Sequence, residues 1–203
     1  KTLERIKSLG HTKTVAWFAD DYWRFFNYSK HWPRYFDYVV TTYSKAVEWY
    51  RQSGFANILL SQWACNTAVY KPVEVKKDID VSFVGQLKTG RVRAVRALER
   101  AGIKVECFGF GWPNGKVSQE EMLRVFGRSR VNLNLTDRQN LLSPSVIARL
   151  FLKKSANRNI PDFHIIDNIR AYMHFPIPHT HARPFELAGC RAFVLSGHSE
   201  DVG

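Results

Sequence analysis

A stretch of charged and apolar residues at 183–195 has the pattern of a short helix followed by a buried strand. Pro184 suits the first helical turn, where no amide hydrogen is needed, and Gly189 suits the exit. Because the amides of a helix N-terminus form an anion site, this turn could hold a phosphate while Glu186 holds a sugar hydroxyl. The residues alone favour a simpler interpretation, in which Glu186 complements the helix dipole and Arg183 flanks it.

A second candidate for phosphate binding is the turn at residues 85–91, which follows a predicted strand and opens a predicted helix. Backbone amides and the basic side chains of Lys88 and Arg91 could hold a phosphate at this turn. Gly85 and Gly90 enclose Lys88, so the turn matches neither the Walker pattern nor Gly-x-Gly-x-x-Gly. An ordinary strand-to-helix turn explains these residues equally well.

A glycine-rich turn after the next predicted strand should line the same rim. Gly109 and Gly111 would let a flat ring approach the backbone, and Trp112 could cover that ring. The commoner alternative is a tight turn with Trp112 in the core. Asn134 near the end of the following strand could meet a ligand, whereas Asn132 on the same strand face is interpreted as structural.

Two adjacent carboxylates, Asp20 and Asp21, end the first predicted strand. Such groups can bind a metal, act as a general base or hold substrate hydroxyls. Neighbouring side chains at a strand end point in different directions, so at most one is expected to act, and Asp21 is the candidate catalytic residue. His179 and His181 have no third ligand at a suitable spacing, so no metal site is expected.

The elements that must position these residues alternate between strand and helix. Apolar runs and glycine stops predict strands at 14–19, 36–42, 56–60, 81–84, 103–108 and 131–135, and helices at 45–53, 91–101 and 118–128. This rhythm predicts an α/β fold with parallel sheets, in which ligands gather beyond the carboxyl ends of the strands. A polar segment around Pro72 predicts a linker. We therefore expect one lobe at 1–75 and another at 76–203 with a long insertion near 137–181.

The composition indicates a globular protein with an anionic partner. The chain has 203 residues and a formal charge of +12, which suits nucleic acid, a membrane surface or a phosphorylated small molecule. The basic residues form no block of five or more, so a nucleic-acid-binding tail is not expected. Three isolated cysteines (Cys65, Cys107 and Cys190) predict reduced thiols of a cytoplasmic protein. No membrane span is predicted, and we expect the chain to be a piece of a longer protein.

Six short motifs occur in the order found in the CgeB/YkvP-like glycosyltransferases, and the chain resembles that family over nearly its whole length. The motifs are Trp17-Phe-Ala-Asp-Asp21, Phe36-Asp-Tyr-Val-Val-Thr-Thr42, Asp80-Val-Ser-Phe-Val-Gly85 with Arg91, Phe108-Gly-Phe-Gly-Trp112, Val131-Asn-Leu-Asn-Leu135 and Arg183-Pro-Phe-Glu-Leu-Ala-Gly-Cys190. Each motif is weak by itself, and their shared order carries the resemblance.

The resemblance implies a GT-B fold, which has two Rossmann-like lobes across a cleft and a nucleotide-sugar donor held mainly by the C-terminal lobe. Glu186 would bind ribose or sugar hydroxyls, and Arg183, Lys88 and Arg91 would bind the diphosphate. The implied donor site is completed by Gly85, Gly109, Gly111, Trp112 and Asn134, with residues 109–112 bordering the base.

The resemblance also implies that Asp21 lies on the acceptor side and that no bound metal or cofactor is needed. In such enzymes positive side chains and a helix N-terminus stabilise the leaving diphosphate. This chain has Cys190, Arg191 and Ala192 where the family usually has Gly-Gly, which could alter the turn behind Glu186.

Three functions are compatible with the sequence. We expect a metal-independent glycosyltransferase that moves a sugar from a nucleoside diphosphate to an unknown glycan, protein or small-molecule acceptor. The alternative is a non-catalytic nucleotide-sugar or glycan-binding module on the same fold. A basic nucleic-acid-binding protein is the least expected, because no nucleic-acid motif is present although aromatic residues such as Trp23 and Phe25 could stack on bases.

Overall fold

The computed structural model describes residues 2–136, 141–155, 158–177 and 179–199. The chain divides into two compact units. The first unit contains Lys1–Gln62 and Gln139–Ile177, and the second contains Trp63–Arg138 and Pro178–Gly203. Each unit has its own parallel sheet and its own apolar core.

Helices and strands alternate along most of the chain. The helices are α1 (Thr2–Ser8), α2 (Asp21–Arg24), α3 (Ser44–Gln52), α4 (Thr89–Arg100), α5 (Gln119–Arg128), α6 (Pro144–Ile147), α7 (Ile165–His174) and α8 (Arg183–Gly189). The strands are β1 (Val15–Phe18), β2 (Tyr38–Thr41), β3 (Ile58–Leu60), β4 (Ile79–Val84), β5 (Glu106–Phe108), β6 (Ser129–Asn134), β7 (Leu152–Ser155), β8 (Arg158–Pro161) and β9 (Val194–Ser196). The expected α/β class with parallel sheets is confirmed.

The first unit is built on a three-stranded parallel sheet in the order β1-β2-β3. Ala16 lies opposite Val39, and both side chains are buried. Their neighbours in the core are largely aromatic, with Phe25, Tyr43 and Tyr50 packed together. Apolar rings of this size bury much surface per residue, which suits a small three-stranded sheet. An antiparallel pair, β7 and β8, belongs to the same unit.

The second unit has a four-stranded parallel sheet in the order β5-β4-β6-β9. Phe83 packs into a core with the α4 residue Val95, whereas the next residue, Val84, packs with Phe126 of α5 and Leu187 of α8. Successive strand residues point to opposite faces, so α4 covers one face and α5 and α8 cover the other. After β4 the chain adds β5 on one side of it and then β6 on the other side. This change of direction between β4 and β6 is the switch point of a Rossmann-like topology.

The bounds of the units differ from the expected lobes at 1–75 and 76–203. The segment expected to be a linker joins the second unit, because Cys65 and Tyr70 pack against α8. A Cβ at Gly189 would lie 2.7 Å from Cys65 Sγ and 3.0 Å from the Tyr70 carbonyl oxygen, so only glycine allows this approach. Residues 139–177, expected as an insertion of the second lobe, group with the first unit.

The structure also bears on two compositional expectations. Cys65, Cys107 and Cys190 are all free thiols, and burial raises the pKa of Cys107 to about 11. Among the residues that the structure describes, none of the helices has the length and hydrophobicity of a membrane-spanning segment.

Candidate functional site

Most of the predicted site residues gather at one edge of the sheet in the second unit. Because all four strands are parallel, their carboxyl ends meet there, and α4 and α8 begin at the same edge. The residues at this edge are Gly85, Lys88, Arg91, Gly109, Gly111, Trp112, Asn134, Arg183 and Glu186. We call it the switch-point edge. Asp21 follows β1 in the first unit and is not one of these residues.

The turns after β4 and β5 contact each other directly through two glycines. The Gly85 amide donates to the Phe108 carbonyl at 2.8 Å, and the Leu87 amide donates to the Phe110 carbonyl at 2.8 Å. Gly109 has a φ of +126°, and a Cβ there would overlap the Gly85 carbonyl group. The glycines are therefore needed so that one turn can approach the other. From the sequence, the same glycines were interpreted as letting a ligand approach the backbone.

The ring of Trp112 lies in the core, which is the alternative considered from the sequence. It packs edge-on against Phe83 with ring centroids 6.1 Å apart, on the face covered by α4. Its Nε1 is buried and has no hydrogen-bond partner among the described residues. This position does not suit the predicted role of Trp112 as a cover for a bound base.

An aromatic residue missed by the sequence analysis occupies the exposed position in that turn. Phe110 is 61% exposed, and the Lys116 ammonium lies 5.3 Å from its ring centroid. Gly109 and Gly111 on either side both have positive φ, at +126° and +90°. An aromatic residue between two glycines was the feature of the sequence that could have indicated this exposed ring. Phe110 therefore supplies the flat apolar surface expected of Trp112.

Arg91 connects the loops that follow β4 and β6. Its Nε donates to the Leu135 carbonyl at 3.0 Å and its Nη1 donates to the Gln86 carbonyl at 2.8 Å. The guanidinium also lies 5.3 Å from the centroid of the Phe83 ring. Arg91 thus holds the two loops at the switch point together and brings a positive charge to this edge. Lys88 is the residue that precedes the first turn of α4.

Asn134 is buried and joins two strands. Its Nδ2 donates to Ser196 Oγ at 2.9 Å, across the β6–β9 pair. Asn132, expected to be structural, accepts a hydrogen bond at 3.2 Å from Ser82 of β4. Both amides therefore stabilise the sheet. The bond to Ser196 uses one N–H of Asn134, and a side-chain amide has a second N–H and an acceptor oxygen, so this bond does not by itself prevent the predicted ligand contact.

Arg183 and Glu186 form an ion pair in the first turn of α8. Their Nη1 and Oε2 atoms are 2.7 Å apart, and the side chains are 28% and 17% exposed. Arg183 also contacts Met122 Sδ at 2.9 Å and the Phe126 ring face of α5. These contacts fix the orientation of Arg183 and, through the ion pair, that of Glu186 at the switch-point edge.

Tyr70 is a further member of this cluster that the sequence analysis missed. Burial raises the pKa of the Tyr70 hydroxyl, and a hydrogen bond to Glu186 and the negative charge of that carboxylate act in the same direction. Tyr70 was assigned to a polar linker, where the sequence offers no sign of a contact with a residue so distant along the chain. Glu186 is thus held by a cation and a phenol.

Asp21 is fully buried, with 0% exposure. The Tyr50 hydroxyl donates to its Oδ2 at 3.0 Å. Desolvation raises the pKa of Asp21 to about 6, although the nearby hydroxyls of Ser29, Thr41 and Tyr50 act in the opposite direction. Because the carboxyl is fully buried in this structure, an acceptor substrate cannot contact it. The position of Asp21 therefore fits a structural role better than the predicted catalytic one.

The switch-point edge therefore combines glycine turns, an exposed aromatic ring and several cations on a Rossmann-like unit. Within the part of the chain that the structure describes, no group of three or more His, Cys, Asp or Glu side chains could hold a metal ion. No family model matches the chain, and no curated protein matches it either.

Proposed function

We propose that the chain is a glycosyltransferase of the GT-B type and that the switch-point edge binds the nucleoside diphosphate part of its sugar donor. The main support is that Phe110, Arg91 and Glu186 all lie at the carboxyl edge of one doubly wound parallel sheet, with Arg91 joining the two loops at its switch point. Ligands of such sheets bind beyond the carboxyl ends of the strands at this point. The two parallel sheets agree with a two-lobed transferase, which the resemblance implies.

The proposed donor is an anion with a flat base and a hydroxylated sugar, and the edge has a group for each part. The base stacks on Phe110, and the diphosphate lies near Lys88, Arg91 and the positive end of the α4 dipole. Glu186 accepts hydrogen bonds from sugar hydroxyls. Departure of the diphosphate is helped by the same cations, in a reaction for which we propose no bound metal.

A nucleotide-sugar-binding module without catalysis is the second candidate. The full burial of Asp21 favours it, because the carboxylate expected near the acceptor is inaccessible. Release of a nucleoside diphosphate from the donor, measured over many turnovers, separates the two candidates.

The nucleotide site is tested by thermal unfolding of the chain with UDP, GDP, ADP, CDP and dTDP, in the wild type and in Phe110→Ala. We expect one diphosphate to stabilise the wild type, by about 2.7 kcal/mol at a hundred times its Kd. Loss of base stacking in Phe110→Ala should weaken binding by about 1–3 kcal/mol.

Phe193→Ala is the matched control for this variant. Phe193 is 63% exposed, close to the 61% of Phe110, but it precedes β9 and so lies at the opposite edge of the same sheet. Its replacement should leave nucleotide binding unchanged. Equal losses in the two variants, or no stabilisation by any of the five diphosphates, would contradict the proposed site.

A further inference from the structure

The first unit contains a cleft of about 530 Å³ that the proposed nucleotide site does not use. It is lined by residues of α2, α6, β7 and β8, by residues just after α2, α6 and β8, and by Asn168 of α7. Most of the lining residues are charged or polar, among them Arg24, Ser145, Arg149, Lys153, Asn159 and Asp162. A cleft of this size accommodates a small organic molecule.

The cleft has an excess of positive charge. Arg24, Arg149 and Lys153 line it, and the one carboxyl among the lining residues is Asp162. Asp162 is engaged with His164, whose backbone amide donates to Oδ1 at 3.1 Å and whose Nδ1 lies 2.7 Å from the same oxygen. Within the described ranges, neither Arg24 nor Arg149 has a carboxylate ion pair or a hydrogen-bond acceptor.

Aromatic rings hold the two arginines in place. The Arg24 guanidinium lies 5.3 Å from the centroid of the Trp23 ring and 4.5 Å from that of Tyr28. The Arg149 guanidinium lies 5.2 Å from the same Trp23 ring and 4.6 Å from Phe175. Stacking on a ring orients a guanidinium but does not neutralise its charge or occupy its N–H donors. Both planar donor groups therefore stay available to an oxyanion.

The charges in the cleft act on one another. Partial burial lowers the pKa of the Arg149 guanidinium, and the positive charge of Arg24 lowers it further. Lys153 is oriented by a 3.3 Å hydrogen bond from Nζ to the Asn27 carbonyl. Like charges that face one cleft repel each other, and an anion between them removes that repulsion.

A second cavity of about 750 Å³ adjoins the cleft, because Asn27 and Lys153 line both. Its walls include three aromatic residues, Tyr28, Trp32 and Tyr35. A ligand with its anionic group on the arginines could thus extend past Lys153 to an apolar, ring-lined region.

We propose that the first unit binds a phosphorylated small molecule, with a phosphate monoester held by Arg24, Arg149 and Lys153 and the organic part directed toward Tyr28 and Trp32. A guanidinium matches phosphate oxygens with two parallel N–H donors, and two such groups with an ammonium suit a dianion. The proposal is independent of nucleotide binding by the second unit.

Calorimetric titration of the full chain with glucose 6-phosphate, glucose and inorganic phosphate tests this site. We expect glucose 6-phosphate to bind, inorganic phosphate to bind more weakly and compete with it, and glucose not to bind. Arg149→Gln and Arg24→Gln should each weaken binding of the ester at least about tenfold, which is a change of about 1.4 kcal/mol. Two variants are used so that a folding defect in one does not decide the result.

Arg51→Gln is the matched control, since Arg51 is exposed on α3 of the first unit and does not line the cleft. It should bind the ester as the wild type does. The proposal is overturned if no phosphate compound binds, or if Arg51→Gln weakens binding as much as Arg149→Gln. It is also overturned if Arg91→Gln in the second unit abolishes binding while Arg149→Gln retains it.

Discussion

Replacing Asp21 by Asn is expected to remove a pH dependence of stability worth about 2 kcal/mol between about pH 4 and about pH 7.5. The carboxyl is fully buried and its pKa is raised to about 6, whereas its ordinary value is 3.8. The folded chain therefore binds this proton more tightly than the unfolded chain. Stability from this group is fully present below the unfolded pKa and is lost as the pH rises through the folded pKa.

The measurement is the free energy of unfolding in urea for the wild type and Asp21→Asn across this pH range. The difference between the two isolates Asp21, because other carboxyls with lowered pKa values, such as Asp37 and Asp78, titrate in both proteins. Asp20→Asn is the control, since Asp20 is the exposed neighbour. Its charge makes only the smallest contribution to the raised pKa of Asp21, so most of the pH dependence should remain in this variant. A constant difference between the wild type and Asp21→Asn across the range would show that the carboxyl is not buried as described.

Replacing Gly109 by Ala is expected to destabilise the chain by about 3 kcal/mol or more. Two costs combine at this position. The φ of +126° is strained for a residue with a side chain, and the added Cβ would lie 2.7 Å from the Gly85 carbonyl carbon. The clashing atoms are backbone atoms of the neighbouring turn. The clash can therefore be removed only if the turns after β4 and β5 move apart.

Gly115→Ala distinguishes these two costs. Gly115 also has a positive φ, at +66°, but a Cβ there would meet no atom within 4 Å. Its replacement should cost only about 1 kcal/mol from backbone strain. Urea unfolding followed by circular dichroism gives both values. Equal effects of the two substitutions would mean that the turns do not approach each other as closely as we describe.

Local sequence patterns were sufficient to predict most of the second unit and the strands of the first. β4, β5 and β6 each begin or end within a few residues of an apolar run, and the glycines at 85 and 109 mark where the chain leaves the sheet. Such runs encode buried parallel strands regardless of what lies elsewhere in the chain. The edge at which the predicted residues gather follows from that alternation alone.

Contacts between distant segments could not be predicted in this way. The contact of Tyr70 with Glu186 and the packing of Cys65 on α8 bring a polar segment against a helix much later in the chain. Arg24 and Arg149 meet in one cleft only because residues 139–177 belong to the first unit. Periodicity describes one element at a time and contains no information on which elements pack together.

The burial of individual side chains was the second property that the sequence did not predict correctly. Asp21 and Trp112 have the residue types of a site, but both side chains turn inward in the structure. A carboxylate or indole at the end of a strand can face a ligand or the core, and the direction depends on neighbours such as Tyr50 and Phe83. Phe110, which the same turn leaves exposed, was missed for this reason.

Hydrogen–deuterium exchange with and without the most stabilising nucleoside diphosphate tests the central claim most directly, because it reports where the nucleotide binds. We predict slower exchange of amides at residues 85–92 and 109–116, which lie at the switch-point edge, and little change in β7 and β8 of the first unit. Protection confined to the first unit, or no protection at a saturating concentration, would contradict a nucleotide site at this edge.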